Sequence, residues 1–384
     1  MGPELIAAGS ALAALAVHPF VTYPASLAAA GRIGAARPVR AAAPEKPPRV
    51  ALCVSAYNEV PIIRAKIENL LAMRLAVPTL ELLVYVDAAT DGTAEILQEY
   101  KNQVRVIFGA TRQGKTCGMN TLVAATDAEF LVFSDANVRF AADAVPRLLA
   151  PFADPAVGCV CGHLIYTAAD DSATAATGSA YWRLEERIKD LESRTGSTMG
   201  ADGSIFAIRR SLHHPPPVDI IDDMFVSLSV LCDGYRVVRA ADALAFEATV
   251  SRPAEEFRRK TRIACQAFNV HRTLRPRLRR LSVWNRYKYV SHKLLRWFSG
   301  YLLVASALLS AAGLAALGAW ATLGLAVLMA AGLVGTGLAR PSSIAGKLVD
   351  MAAAFVATSI GVLRSVRGDR FQTWTPPASA RPAE

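Results

Sequence analysis

Asp135 and Asn137 close the stretch "EFLVFSDAN", where an apolar run ends on a carboxylate and an amide two residues apart. Hard oxygen donors of this kind suit Mg2+ or Mn2+ rather than zinc. Two protein ligands do not close a shell, so phosphate oxygens of a bound molecule would have to complete it. The same spacing also makes an Asx-turn, and the local pattern leaves both readings open. Asp222 and Asp223 pose a similar question in "IIDDMFVSLSVLCDGYRVV". One carboxylate at a helix start is an ordinary cap. Two exceed that need, and one of them is a candidate general base.

Three further clusters carry charge in useful places. In "VDAATDGT", Asp87 directly follows an apolar run and can accept hydrogen bonds from a base or ribose, whereas Asp91 is placed to cap the next helix. "GATRQGKTCGMN" brings glycines, Arg112 and Lys115 to the start of a helix, where backbone N–H groups and a lysine can cradle phosphate. The segment is set aside as a P-loop. "RPAEEFRRKTRIACQAF" holds Arg258, Arg259, Lys260 and Arg262. These are either a clamp on a diphosphate leaving group or a basic helix facing solvent and lipid headgroups. "AYWRLEERIKDLESRTG" (180–196) is expected to be an amphipathic helix whose charges form a solvated face.

The elements that must position these groups follow from periodicity. From Arg49 onward, short apolar runs alternate with helical spacing: "RVALCVSAYNE", "VPIIRAKIENLLAMR", "LELLVYVDAATDGT", "TAEILQEY", "VRVIFGA", "GKTCGMNTLVAAT", "EFLVFSDAN". This alternation predicts an α/β domain with a mostly parallel sheet. Ligands in such sheets sit beyond the carboxyl ends of the strands. Asn58-Glu59, Asp87–Asp91 and Asp135–Asn137 all fall there, and their convergence says more than any one cluster.

The flanks are of another kind. Residues 5–30 and 298–339 contain no Asp, Glu, Lys or Arg. Each reaches the ~20 residues a membrane span needs. The first segment, interrupted at His18-Pro19 and Pro24, is expected to span with a kink (1–31). The second, twice as long, is expected to form a helical hairpin turning near Trp320. Arg32, Arg37 and Arg40 follow the first; Arg286, Lys288, Lys293, Arg296, Arg340 and Lys347 flank the second. By the positive-inside rule the domain between them (49–270, after a linker at 32–48) is cytoplasmic, with a basic juxtamembrane region at 271–297. The rest, 340–384, is expected to hold an interfacial or re-entrant helix and a tail. The expected location is the plasma (inner) membrane. Among 384 residues the net charge is +10. Phosphorylated substrates and anionic lipid account for that excess better than nucleic acid does, because no zinc-finger or RNP pattern accompanies the basic residues. The six cysteines form no CxxC pair and are expected to be reduced thiols.

Taken in order, "SAYNE", "VDAATDGT", "GKTCGMN", "FSDANV", "GADGSIFAIRR", "IDDMFVSLSVLCDGYRVV" and "RRKTRI" resemble the family 2 glycosyltransferases of GT-A fold, over roughly residues 49–270. The flanking apolar segments resemble the arrangement of its membrane-bound members. The resemblance implies a nucleotide-sugar donor, usually a UDP-sugar, and Mg2+ or Mn2+ at Asp135 and Asn137. It places Ala56, Tyr57, Glu59, Asp87, Lys115 and Asp135 around the donor. Asp223, with Asp222 beside it, matches the base aspartate, and Asp202 and Gly203 match the loop near the acceptor. Arg258, Arg259 and Arg262 would cover the leaving diphosphate. The acceptor would be a glycan or a lipid-linked hydroxyl. Three departures stand out: Val86-Asp87 replaces an Asp pair, Asp-Ala-Asn replaces Asp-x-Asp, and Gln266 does not begin QxxRW. The last argues against a processive polysaccharide synthase, which stays open as an alternative beside a nucleotidyltransferase and a non-catalytic membrane scaffold.

Overall fold

A computed structural model gives the fold, and it describes residues 1–34, 37, 39, 47–167, 173–248 and 253–373. Most of the 32–48 linker and the tail beyond Thr373 lie outside the described residues. Chain order runs α1 (Gly2–Val17), α2 (Thr22–Arg32), β1 (Val50–Ala56), α3 (Val60–Ala72), β2 (Leu80–Val86), α4 (Thr93–Glu99), β3 (Arg105–Phe108), α5 (Lys115–Ala124) and β4 (Phe130–Asp135). Then come β5 (Arg139–Phe140), α6 (Ala144–Leu149), β6 (Val157–Thr167), α7 (Ala173–Arg194), β7 (Ile205–Arg209), α8 (Asp222–Cys232) and β8 (Arg236–Ala248). The chain closes with α9 (Pro253–Leu278), α10 (Val283–Tyr289), a π-helical turn (Val290–Leu294), α11 (Leu295–Ala316), α12 (Trp320–Ala339) and α13 (Ile344–Val366).

The strands form one sheet in the order β3-β2-β1-β4-β7-β6-β8-β5. Its first four strands are parallel, as the alternation predicts. Beyond β4 the sheet is mixed: β7 pairs antiparallel with both β4 and β6, β6 pairs parallel with β8, and β5 pairs antiparallel with β8. The parallel part reads as continuous apolar runs because both faces are covered. On one face Val50, Leu52 and Val54 pack with Ile63, Ile67 and Leu70 of α3. On the other, Ala51 and Cys53 pack with Met119 and Leu122 of α5 and with residues of α8 and α9. All six cysteines are free thiols.

Among the described residues, three helical stretches are long and apolar enough to cross a membrane: 283–316, 320–339 and 344–366. The α1–α2 pair meets the same test only as a unit bent by 60°. α1 runs along α11, with Gly2 and Gly9 against Leu317 and Ser310. α13 is one unbroken helix of 23 residues, and its last turns lie on α9. Several basic residues of the 286–296 flank do not point to headgroups. Lys288 is fully buried and donates to the carbonyls of Glu192, Thr195 and Ser197.

α13 packs tightly on α9 at Gly361, where an added Cβ would lie 2.5 Å from the Thr261 carbonyl oxygen and 2.6 Å from the Ala264 Cβ. Backbone on one side cannot yield as a flexible side chain would. Gly361→Ala is therefore expected to lower stability by about 1–3 kcal/mol, the usual cost of overpacking. Thermal unfolding of the detergent-solubilised chain measures this, and an unchanged midpoint would contradict the close contact.

Candidate functional site

A cavity of about 460 Å3 opens beyond the carboxyl ends of the parallel strands. Tyr57 and Glu59 after β1, Asp87 after β2, and Asp135 and Asn137 at β4 all line it. So do Lys115, Asp202, Gly203, Asp222, Asp223, Arg259 and Arg262. Two expected members are elsewhere. Ala56 is buried in β1, where its carbonyl accepts from the Asp87 amide, and Arg258 is exposed on the outer side of α9.

Lys115 stands at the centre. Its Nζ lies 2.7 Å from Asp135 Oδ1 and 3.6 Å from Asp222 Oδ2. Burial opposes the ammonium charge, but Asp135, Asp222 and Asp223 outweigh it and hold the lysine above its ordinary range. Asp223 shifts the other way. Burial first, then the neighbouring Asp222 carboxylate, push its carboxyl up to about 7. A Cβ at Gly203 would come within 2.7 Å of Asp223 Oδ2 and 3.2 Å of Lys115 Nζ, so the loop can pass this close only without a side chain.

At one end of the cavity, Asp87 holds a loop. Its two oxygens accept from the amides of Gln113 (2.7 Å) and Gly114 (2.8 Å). This loop requires a correction to the sequence reading, because Gly109, Gly114, Lys115 and Thr116 do have the P-loop spacing Gly-x4-Gly-Lys-Thr. It is not used as one here: two amides of the loop are spent on Asp87, and the lysine turns to carboxylates. Arg112 stacks 3.7 Å from the Tyr57 ring centroid. Asp91 has the capping role, accepting from the Thr93 amide (3.0 Å) and the Val60 amide (3.1 Å). The segment after α13 reaches the same loop. Gln266 and Asn269 of α9 donate to the carbonyls of Phe371 (2.8 Å) and Asp369 (3.0 Å), Gln372 donates to the Gln113 carbonyl (3.0 Å), and Thr373 lines the cavity.

The Asp135–Asn137 turn is braced from behind and from the side. Lys66, buried under it, donates to Ser134 Oγ (2.7 Å) and the Val138 carbonyl (2.5 Å), and burial lowers its ammonium to about 7. Asn137 spends its amide nitrogen on Glu247 Oε1 (3.0 Å), which leaves its carbonyl oxygen for a ligand. Glu247 is itself pushed up to about 7, chiefly by burial, with Arg259 opposing. The donors are hard oxygens on an open cavity, so they fit a hard divalent ion that keeps positions for other ligands. Among the described residues no cluster of three His, Cys, Asp or Glu makes a closed cage. Arg259 bonds the Tyr166 hydroxyl (3.3 Å), and Arg262 bonds Gln266 (3.1 Å). Burial and the neighbouring Arg259 lower the Arg262 guanidinium to about 10.

Sequence reasoning missed Glu247 and misjudged α7. Glu247 is a single acid at the end of an apolar strand, and only its charge inside "LAFEAT" hints at a use. On α7 the expected solvated face is buried: Glu185, Glu186, Lys189 and Glu192 are each less than 7% exposed. They meet Arg239, Lys293, Arg296 and His292 from β8 and the membrane-proximal helices.

Residues 51–214 match the family model described as glycosyl transferase family 2. The chain is similar to the O-antigen chain rhamnosyltransferase WbaN of Salmonella anatum, 26% identical over 189 residues, covering 47% of this chain and 60% of that protein. It is also similar to an N-acetylglucosaminyltransferase of Rhizobium leguminosarum bv. viciae, 25% identical over 216 residues, covering 52% of this chain and 50% of that protein. The chain thus spans about half to three fifths of the length of these relatives. Among solved structures it shares its fold with the mannosyltransferase PcManGT from Pyrobaculum calidifontis, solved in complex with GDP-Man and Mn2+. The TM-score is 0.73 at 24% identity, over 94% of this chain and 99% of that one.

The raised Asp223 carboxyl has a consequence for folding. With an ordinary value of 3.8 when unfolded and about 7 when folded, the group favours the folded state below pH 4, and that contribution is lost as pH rises to about 7. Asp223→Asn is expected to gain stability relative to the unaltered chain across this window, on the order of 1–3 kcal/mol by pH 8. Melting curves without metal at stepped pH would show the two midpoints diverging; parallel curves would contradict the shift.

Proposed function

Because residues 51–214 form a glycosyl transferase family 2 domain on a GT-A-like frame, we propose that this chain transfers a sugar from a nucleotide-sugar donor to a hydroxyl acceptor with inversion at the anomeric carbon. One observation carries the reading. A half-buried carboxyl with a raised pKa, Asp223, shares a cavity with Lys115, Arg259, Arg262 and the Asp135–Asn137 turn.

The donor, taken as a UDP-sugar, would enter at the Asp87 end. Tyr57 under Arg112, together with Glu59 and Asp87, frames the nucleotide there. Asp135 and the Asn137 carbonyl would hold Mg2+ or Mn2+, which when bound supplies positive charge beside the diphosphate. With a neutral amide in place of a second carboxylate, the ion is expected to bind mainly together with the nucleotide. Arg259 and Arg262 on α9 then face the charge that grows as the bond between the sugar C1 and the diphosphate oxygen breaks. Lys115 keeps Asp135 and Asp222 in place and remains charged while it does so. The acceptor hydroxyl would lie beside Asp202 and Gly203. Its oxygen attacks C1 in line, and its proton passes to Asp223. A carboxyl tuned near 7 is matched to that exchange at neutral pH. The acceptor is proposed to be a glycan or a lipid-linked precursor, with the domain on the cytoplasmic side of the plasma (inner) membrane. The basic flanks and the apolar helices beside the cavity support this, as does the O-antigen role in the name of one relative.

Two substitutions test the assignment. Asp223→Asn is expected to lower kcat by about 10²–10⁴, with nucleotide binding by calorimetry little changed; retained turnover would remove Asp223 from the role. Asp135→Ala is expected to abolish the Mn2+-dependent part of nucleotide affinity. An undiminished response to Mn2+ would place the ion elsewhere.

A further inference from the structure

The cavity does not end at Asp223. It continues past Gly200 to His292, Lys293, Arg296 and Trp297, at the start of the first candidate membrane span. A Cβ at Gly200 would lie 3.9 Å from both Lys293 Cε and Ser227 Oγ, and Ser227 bonds the Asp223 carbonyl one turn away. This far end is therefore near the proposed base, and it lies at the edge of the apolar helices. It is built on a π-helical turn (Val290–Leu294), a rare local form that often marks functional sites.

Counting donors and acceptors here leaves a surplus of donors. Glu185 already takes His292 Nε2 (3.0 Å) and Arg296 Nη1, which also donates to the Tyr181 hydroxyl (2.9 Å), with Lys293 Nζ at 3.6 Å. Glu192 takes the Tyr23 hydroxyl (2.5 Å), His292 Nδ1 (2.8 Å) and the Met199 amide (3.0 Å). Lys293 is left with contacts of 3.5 Å and longer. Arg296 Nε and Nη2 are buried with no hydrogen-bond partner among the described residues. An unmade bond from a buried charged donor costs on the order of 1–3 kcal/mol, so this end suits an anionic oxygen that the described residues do not supply. Phe20 of the α1–α2 bend lies against Arg296, and the exposed Val21 and Val304 continue the apolar surface outward.

We infer that Lys293 and Arg296 form a subsite for a phosphate group on an amphiphilic acceptor, whose apolar part leaves along α2 and α11. The inference rests on the proposed glycosyl transfer only in calling the ligand an acceptor. Lys189 does not belong to it, since it is paired with Glu186 (2.9 Å) and Asp202 (3.6 Å).

The test uses the full chain in detergent, without donor or metal, and follows the fluorescence of the cavity tryptophans Trp182 and Trp297. Farnesyl phosphate is expected to bind saturably, with farnesol and inorganic phosphate each at least about tenfold weaker. Lys293→Gln and the milder Arg296→Lys are each expected to weaken farnesyl phosphate by about 10–100-fold, the value of a charge-assisted bond. Lys347→Gln, exposed on α13, should change nothing. Nucleotide binding with Mn2+ should survive in both site variants, which shows that they fold. Farnesol binding as tightly as its phosphate would overturn the subsite, as would full affinity in both variants. Inorganic phosphate binding equally well would overturn the amphiphile. If farnesyl phosphate binds as expected while no nucleotide binds at all, the subsite stands and the glycosyl-transfer reading fails.

Discussion

One ammonium group holds this site together. Lys115 begins α5 and reaches across the strand ends to Asp135, with Asp222 and Asp223 close by. Three carboxylates close together repel one another, and a cation among them offsets that repulsion. The lysine pairs with Asp135 and Asp222, while burial and the neighbouring Asp222 charge leave the Asp223 carboxyl raised. The division matters chemically. A carboxylate paired with a lysine is positioned for a ligand or a metal, whereas a carboxyl raised toward neutrality suits proton exchange. Asp222 lies 3.6 Å from the ammonium, whereas for Asp223 the pull of Lys115 is outweighed by burial and by the Asp222 charge.

The rest of the domain keeps that arrangement fixed. Lys66 and Glu247 brace the Asp135–Asn137 turn from two sides, and Asp87 pins the loop that delivers Lys115. The loop could have been an anion nest, but its amides are given to a carboxylate, so it acts here as a positioned support. The segment after α13 touches the same loop through Gln372, held in turn by Gln266 and Asn269. Gln266 does not begin a QxxRW motif, yet it does structural work at the rim of the cavity.

A second buried network joins the domain to its apolar helices. Glu185 and Glu192 of α7 bind His292 and Arg296 near the start of α11, and Tyr23 of α2 joins them. Removing one partner from such a network leaves a buried charge uncompensated, which costs far more than a surface pair is worth. The orientation of the cavity relative to the helices is therefore fixed by specific side chains.

The sequence by itself determined the parallel half of the sheet, the apolar flanks, and the clusters at Asp87, Asp135 and Asp222-Asp223, because period and composition are local properties. It also separated Asp91 from Asp87, since a cap is read within three residues. Where the sheet becomes mixed was decided in space, since strand order beyond β4 depends on which edges meet. The sequence took the charged face of α7 for a solvated one, because helical spacing shows that a face is polar but not what lies opposite it. Ala56 and Arg258 fell outside the cavity for a related reason: a motif fixes a neighbourhood, while the pleat of a strand or the turn of a helix decides which side chain points inward. Glu247, Lys66 and Arg296 gained their places only through partners 70 to more than 100 residues away in sequence. Burial and charge pairing depend on distances in space, so these roles were decided by the tertiary structure alone.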